Sequence, residues 1–281
     1  MSRYSDLPSI EVSINFIART EAPLVSDYRD PTKIFRPSEA HDVRLTDMRS
    51  VRSELDLETH GFILVDDPRT IPDALDEEWM REDYDSSMQN LTKTFVADAD
   101  MVFPLVLYLR VSPNSSESVL RKKSRTAGVQ PGLSAHVDFT SNSVWARVRQ
   151  AQKAGTIPDI RYKRAAVYQT WRVLSDPPHD FPLAVTDHRS TRPGQFLPLQ
   201  NILEEPEAEE KLNETGLVVF SDYDWYYFSD MQRDELLVFK GYDTENGDGR
   251  NVFHSSFENT ACRERLSPRI SVETRCMALW E

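Results

Sequence analysis

The apolar positions of this chain fall mostly in short runs, with few long helical stripes. Ile10, Val12 and Ile14 alternate with polar residues at period two, and Gly61-Phe62-Ile63-Leu64-Val65 is a compact apolar block; both patterns predict β-strands. Further strands are predicted over residues 102–109, 133–140, 165–173, 182–187, 216–228, 235–240, 251–257 and 269–280, in runs bounded by turn-forming residues. Helical spacing is confined to two stretches. From Ile71 through Leu75, Trp79, Met88, Leu91 and Phe95 apolar residues recur at mostly helical intervals among acids, so one or two amphipathic helices over residues 70–95 are expected to pack outside a sheet. The segment 141–155 opens with Ser and Asn capping candidates and ends at Gly155, which predicts a strand running into a helix. The polar stretch 111–132 has no period that would bury a face, and it immediately precedes the 133–140 strand. It is expected to be a mobile loop placed to act as a lid.

Composition sharpens this picture. Pro, at 17, outnumbers Gly, at 9, and punctuates the apolar runs throughout, as suits many short strands joined by irregular loops. No internal repeat and no linker divides the 281 residues, although an acidic stretch at 203–214 separates two strands. The expectation is a mainly β protein, a sandwich or jelly roll with a few flanking α-helices, in one domain over residues 1–281. Residues 1–100 would supply N-terminal strands and helices packing on a jelly-roll core at 101–281. Asp plus Glu, at 46, exceed Lys plus Arg, at 33; the net charge of −13 argues against a nucleic-acid partner. The longest apolar runs fall short of the roughly 18 residues that span a bilayer, so no membrane partner is expected. Two cysteines and a start without an export signature lead to an expected cytoplasmic location. A small-molecule substrate is the expected partner, and a homodimer is compatible with these features.

Six histidines, at 41, 60, 136, 179, 188 and 254, are the places to look for metal chemistry. In His136-Val137-Asp138 the two polar side chains sit two apart on a predicted strand, hence on one face and within reach of one ion. With 46 acids in 281 positions, six histidines give about one such match by accident, so the motif needs a third ligand. His254, 116 residues after the acid on another predicted strand, is the candidate, against an equally weighted reading as a hydrogen-bonded residue at a strand start. Two His and one carboxylate on one face of Fe(II) leave positions open for small ligands. In Pro268-Arg269-Ile270-Ser271-Val272-Glu273-Thr274-Arg275, Arg269, Ser271 and Arg275 share a face. A guanidinium fork beside a hydroxyl suits capture of a carboxylate, and the competing reading is an ion-pair ladder with Glu273 on the same face.

A His-x-Asp strand, a distant His, and an Arg-x-Ser beginning 15 residues beyond it make the pattern of Fe(II)/2-oxoglutarate oxygenases. The chain resembles the fungal hydroxylase/desaturase family of secondary metabolism, whose relatives include proteins similar to the cephamycin 7-alpha-methoxylase small chain. The matching stretches run nearly end to end, at 55–65, 135–140, 168–190, 224–244, 252–257 and 268–275. The resemblance implies a double-stranded β-helix and an enzyme that hydroxylates or desaturates a small-molecule intermediate. It implies Fe(II) held by His136, Asp138 and His254, with 2-oxoglutarate as cosubstrate and O2 as oxidant. The far carboxylate of 2-oxoglutarate would pair with Arg269, assisted by Ser271. Arg275 would share that pocket or take a substrate carboxylate; Arg269 ranks first. This sequence departs from the family with Gln169 and Thr170 before Trp171-Arg172, where an Asn-Val pair is usual, and with Thr186 before Asp187, where Cys is common.

Other readings stay in view. Arg172 is a substrate-contact candidate, and Phe139 a candidate for shaping the pocket. Trp171, Trp225, Tyr226 and Tyr227 are more often core than cavity lining in such strands. His179 and His188 read as structural, and Cys262 with Cys276 lack the spacing of a zinc pair. No phosphate-cradling Gly-rich loop or Gly-x-Ser-x-Gly elbow is present. Two alternatives to the oxygenase are a silent jelly-roll protein that binds a metabolite or pairs with an active oxygenase, and a metal-dependent cupin enzyme that ignores 2-oxoglutarate.

Overall fold

The computed structural model describes residues 4–37, 39–69, 71, 83–116, 127–203, 212–260 and 265–281. In chain order the strands begin with β1 (Ser9–Phe16), β2 (Leu24–Asp27), β3 (Glu39–Asp47) and β4 (Phe62–Asp66), followed by helix α1 (Asp85–Phe95). Then come β5 (Met101–Val111), β6 (Ala127–Val129), β7 (His136–Val137), helix α2 (Ser141–Lys153), β8 (Arg164–Val173) and β9 (Leu183–Thr186). The chain closes with β10 (Phe196–Ile202), β11 (Glu214–Val218), β12 (Trp225–Tyr227), β13 (Glu235–Asp243), β14 (His254–Ser256) and β15 (Ile270–Trp280).

Two sheets carry these strands, one of nine in the order β1-β3-β12-β9-β14-β7-β11-β10-β2, the other of six in the order β4-β13-β8-β15-β5-β6. Together they form a jelly roll, as expected. The N-terminal strands join these sheets directly: β1 and β3 pair antiparallel at one edge, and β4 adds antiparallel to β13. The expected strand at 216–228 is two strands, β11 and β12, separated by residues outside the sheet. Strands β2, β3, β6 and β10 were not expected.

Alternation along β8 and β15 assigns their faces. Thr170 and Thr274 hydroxyls meet at 2.7 Å on one side; Tyr168, Val272 and Cys276 join Tyr84 and Met88 of the α1 region in a buried cluster there. The other side faces the nine-stranded sheet, where Trp171 and Val173 pack with Phe62, Val185 and Tyr226. Trp225 and Tyr227 are core on the nine-stranded sheet. Helix α2 packs Val144 and Val148 against Val167, Met277 and Phe139. Its N-cap is Thr140, whose side chain accepts from Ser143 N in a capping box, one residue before the Ser and Asn expected to cap it. Gly155, at φ +70, follows the helix end in the left-handed conformation.

Of the helix expected over 70–95, residues 85–95 form α1, while 70 and 72–82 lie outside the described residues. The same holds for 117–126 of the expected lid, 204–211 of the acidic stretch, and Cys262. Cys276 is a buried free thiol, pushed up to about 12 by that burial. Among the described residues no helix is long and apolar enough to cross a membrane.

Candidate active site

Strands β7 and β14 are antiparallel neighbours, and their register sets His254 directly opposite His136. The two imidazoles lie 4.2 Å apart by ring centroid, tilted at 53°. Asp138, just past the end of β7, turns into the same space: its Oδ2 is 3.2 Å from His254 Nε2 and its Oδ1 3.8 Å from His136 Nε2. One ligand atom from each of the three lies within 4.8 Å of the others. His136 Nδ1 is 2.7 Å from Ser134 O, and His254 Nδ1 is 3.4 Å from Val252 O. The Ser134 carbonyl at His136 Nδ1 fixes that proton there and leaves the His136 Nε2 lone pair directed at the shared space, the tautomer a metal ligand needs.

The electrostatics agree. Burial, reinforced by the neighbouring His254, lowers His136 to about 4, so the ring stays neutral at ordinary pH. For Asp138, burial pushes the pKa up, but the Arg275 guanidinium and the two imidazoles outweigh it and hold the carboxyl well below the usual range. Two imidazoles and one carboxylate are the donor set that suits a divalent iron.

From this cluster a narrow cleft runs past Trp171 and Leu183 to Ser256 and Arg269. Its volume is about 10 Å³, of the order of one water. Trp171 and Leu183 also border a larger cavity of about 320 Å³ lined by Tyr227, Phe228 and Met231. At the far end of the cleft Arg269 is fully buried, with its guanidinium 5.4 Å from the centre of the Trp171 ring. Nη1 donates to Phe181 O at 2.5 Å and to Ser256 Oγ at 2.9 Å, whereas Nε and Nη2 have no partner. Ser271 Oγ, also buried, has none either. Burial, then the nearby Arg110, lowers Arg269 to about 9. A buried cation with two idle donors, with an idle hydroxyl two residues on along the same face, is an environment a carboxylate would complete.

The remaining sequence candidates part company. Arg275 shares the inner face with Arg269 but is taken by Asp138 and Glu273, each at 2.9 Å, and by Gln169 at 3.0 Å. Part of the ion-pair ladder is thus realised, at Arg275. Arg172 requires a correction as a substrate contact. It lies opposite Val272 on the outward side of β8, where its Nη2 pairs with Asp67 and its guanidinium lies over Tyr84. His179 and His188 contact the carbonyls of Ser175 and Thr59, as structural residues do. Phe139 lies beneath Arg275 at 5.6 Å.

Arg110 and Asp180 were not anticipated. Arg110 grips Glu273 through two bonds of 2.9 Å, and an arginine closing the apolar run of β5 was the available signal. Asp180 accepts from Ser112 Oγ, Asn114 Nδ2 and the Arg269 backbone N–H, anchoring the Arg269 end; nothing in its Pro-rich surroundings marked it.

Comparison with known families decides the affiliation: the oxidoreductase/YMDC permease-like domain family matches residues 14–279. The chain belongs to this family. Within reach of it, the Fe(II)/2-oxoglutarate-dependent dioxygenase nvfI of Aspergillus novofumigatus is 29% identical over 243 residues, 84% of this chain and 82% of that protein. Hydroxylase/desaturase efuI of Hormonema carpetanum is 26% identical over 291 residues, 98% of this chain and 96% of that protein. The solved structure of the iron and alpha-ketoglutarate-dependent endoperoxidase NvfI matches with a TM-score of 0.78 at 26% identity, over 97% of this chain and 98% of that one. The family resemblance read from the sequence is borne out, and so is the fold.

Proposed function

We propose that this family member is a non-haem Fe(II)/2-oxoglutarate-dependent oxygenase that hydroxylates or desaturates a small-molecule intermediate of fungal secondary metabolism. His136, Asp138 and His254 would hold the iron, and Arg269 with Ser271 would hold the far carboxylate of 2-oxoglutarate. The observation that carries the reading is the His136-Asp138-His254 cluster lining the same cleft as the idle buried donors of Arg269. The names of the relatives support the same chemistry.

Iron held by His136, Asp138 and His254 would supply the redox chemistry that couples O2 reduction to the oxidative decarboxylation of 2-oxoglutarate. The chain's own residues bind and orient. Ser134 O sets the His136 tautomer; Arg269 and Ser271 would fix one end of the cosubstrate and so aim its other end along the cleft. Trp171, whose ring lies 5.4 Å from the Arg269 guanidinium, would form an apolar wall beside the buried charge. A cytoplasmic location, with no nucleic-acid or membrane partner, belongs to this reading; the net charge of −13 supports the exclusion of nucleic acid.

Succinate release in the presence of Fe(II), 2-oxoglutarate and O2 tests the reading. Wild-type protein should release succinate, and His254→Ala and Asp138→Ala should fall to background. Equal release by either variant and the wild type would remove the triad assignment.

A further inference from the structure

Arg275 is gripped by more partners than a cosubstrate-binding residue would have. Its Nε donates to Gln169 Oε1 at 3.0 Å and its Nη2 to Glu273 Oε1 at 2.9 Å, while the same Nη2 stands 2.9 Å from Asp138 Oδ1. Its guanidinium carbon lies 4.9 Å from the centre of the Tyr108 ring and 5.6 Å from that of Phe139. Glu273 is fixed in turn by the two-pronged Arg110 pair. Residue 241 beside Gln169 is glycine: a Cβ there would stand 2.8 Å from Gln169 Nε2 and 3.1 Å from its Cγ, so Gln169 would have to shift. A chain of contacts therefore runs Gly241, Gln169, Arg275, Asp138.

The two oxygens of Asp138 are thereby made unequal. Oδ1 is engaged by Arg275, and Oδ2 faces His254 Nε2 at 3.2 Å. A free carboxylate can bind a cation through one oxygen or through both, and the second mode would consume a position that a chelating cosubstrate and O2 need. Taking the Fe(II)/2-oxoglutarate reading as its basis, we infer that Arg275 is a positioning residue that keeps Asp138 a one-oxygen ligand, with Gln169 and Glu273 holding the guanidinium in place. Removing Arg275 frees Oδ1 and leaves more negative charge at the site, so the metal should stay while the cosubstrate suffers. A merely structural role would lose both together.

Mn(II) in place of iron reports on this without turnover, because water-proton relaxation counts the waters on the ion and follows their displacement by 2-oxoglutarate. Arg275→Met should retain Mn(II), carry one water fewer than the wild type, and bind 2-oxoglutarate about 10- to 100-fold more weakly. Arg275→Lys, which keeps the charge without the fork, should recover part of the loss. Gln169→Leu and Gly241→Ala leave Arg275 and every ligand in place and should shift both readings the same way by less; they carry the test if Arg275→Met fails to fold. The inference is overturned if water count and cosubstrate affinity are unchanged in Arg275→Met, or in both Gln169→Leu and Gly241→Ala. Joint loss of metal and cosubstrate in folded Arg275→Met overturns it as well. A wild-type protein that binds no Mn(II) overturns the metal reading and the inference with it, a failure distinct from wild-type binding with indifferent variants.

Discussion

Arg269, just before β15, and Arg275, in its middle, carry the same side chain on one face in opposite conditions. Arg275 meets two carboxylates and an amide oxygen and lies between two aromatic rings. Arg269, on the same face and buried as deeply, leaves two of its three nitrogens idle and has an idle hydroxyl two residues on. Burying a cation without a partner is costly, and removing a partner from a buried pair typically costs several kcal/mol. On the proposed reading, a finished network and an unfinished one close together in the chain would divide the labour: the finished one would hold a metal ligand still, and the unfinished one would take the ligand that completes it. Arg172 makes the contrast sharper, since one step along the neighbouring strand turns a guanidinium to the outer face and away from the site.

The largest expected effect at the unfinished end comes from Arg269→Ala. Loss of the charged partner should weaken 2-oxoglutarate binding by roughly 3 kcal/mol, on the order of 100-fold, with metal binding retained. Cosubstrate added to the metal-loaded wild type should raise Tm, and that rise should vanish in the variant. An undiminished rise would move the carboxylate site elsewhere. Ser271→Ala removes one neutral hydrogen bond, so about 1 kcal/mol, or roughly five-fold in affinity, is expected from the same titration. Because the hydroxyl is idle without cosubstrate, the Tm of the cosubstrate-free protein should not fall; a clear drop would show that Ser271 serves the fold.

A smaller and more diffuse effect tests the surroundings. Burial is the main cause that lowers the pKa of His60, His179 and His188 from the ordinary 6.5. The folded state keeps these rings neutral while the unfolded chain takes up protons below that pH. Stability should accordingly be full above pH 6.5 and decline as the pH falls through it. His188 contacts Thr59 O through Nε2 and leaves Nδ1 idle, so His188→Gln can keep the contact while losing the titration. Its Tm should fall less steeply than that of the wild type between pH 7 and 5. Parallel slopes would mean that carboxylates, not this histidine, set the decline.

The parts legible in the sequence are those in which local period and tertiary role coincide. Strands β1, β8 and β15 alternate or run apolar because their faces meet a core, and the register-opposed histidines were recognisable once an acid two residues away and an Arg-x-Ser beyond were read together. Strand β10 hid behind Pro198, which demotes a run to an edge by ordinary rules. Strand β3 was masked by its charges, with Val43 and Leu45 buried between polar neighbours. The roles of the arginines were not legible at all. Period two places Arg269 and Arg275 on one face, but only the positions of Asp138, Gln169 and Glu273 in space reveal which is occupied. Likewise Trp171-Arg172 reads as a pair in sequence, whereas a strand sends the two side chains to opposite faces.

The most direct test of the two-ended cleft is an anaerobic titration of the metal-free protein with Fe(II) and then 2-oxoglutarate, following the weak visible charge-transfer band of the chelate. A saturable band is expected in the wild type, absent in His254→Ala, and appearing only at far higher 2-oxoglutarate in Arg269→Ala. A wild-type protein that shows no band with both components in excess would contradict the assignment of the cleft to iron and 2-oxoglutarate.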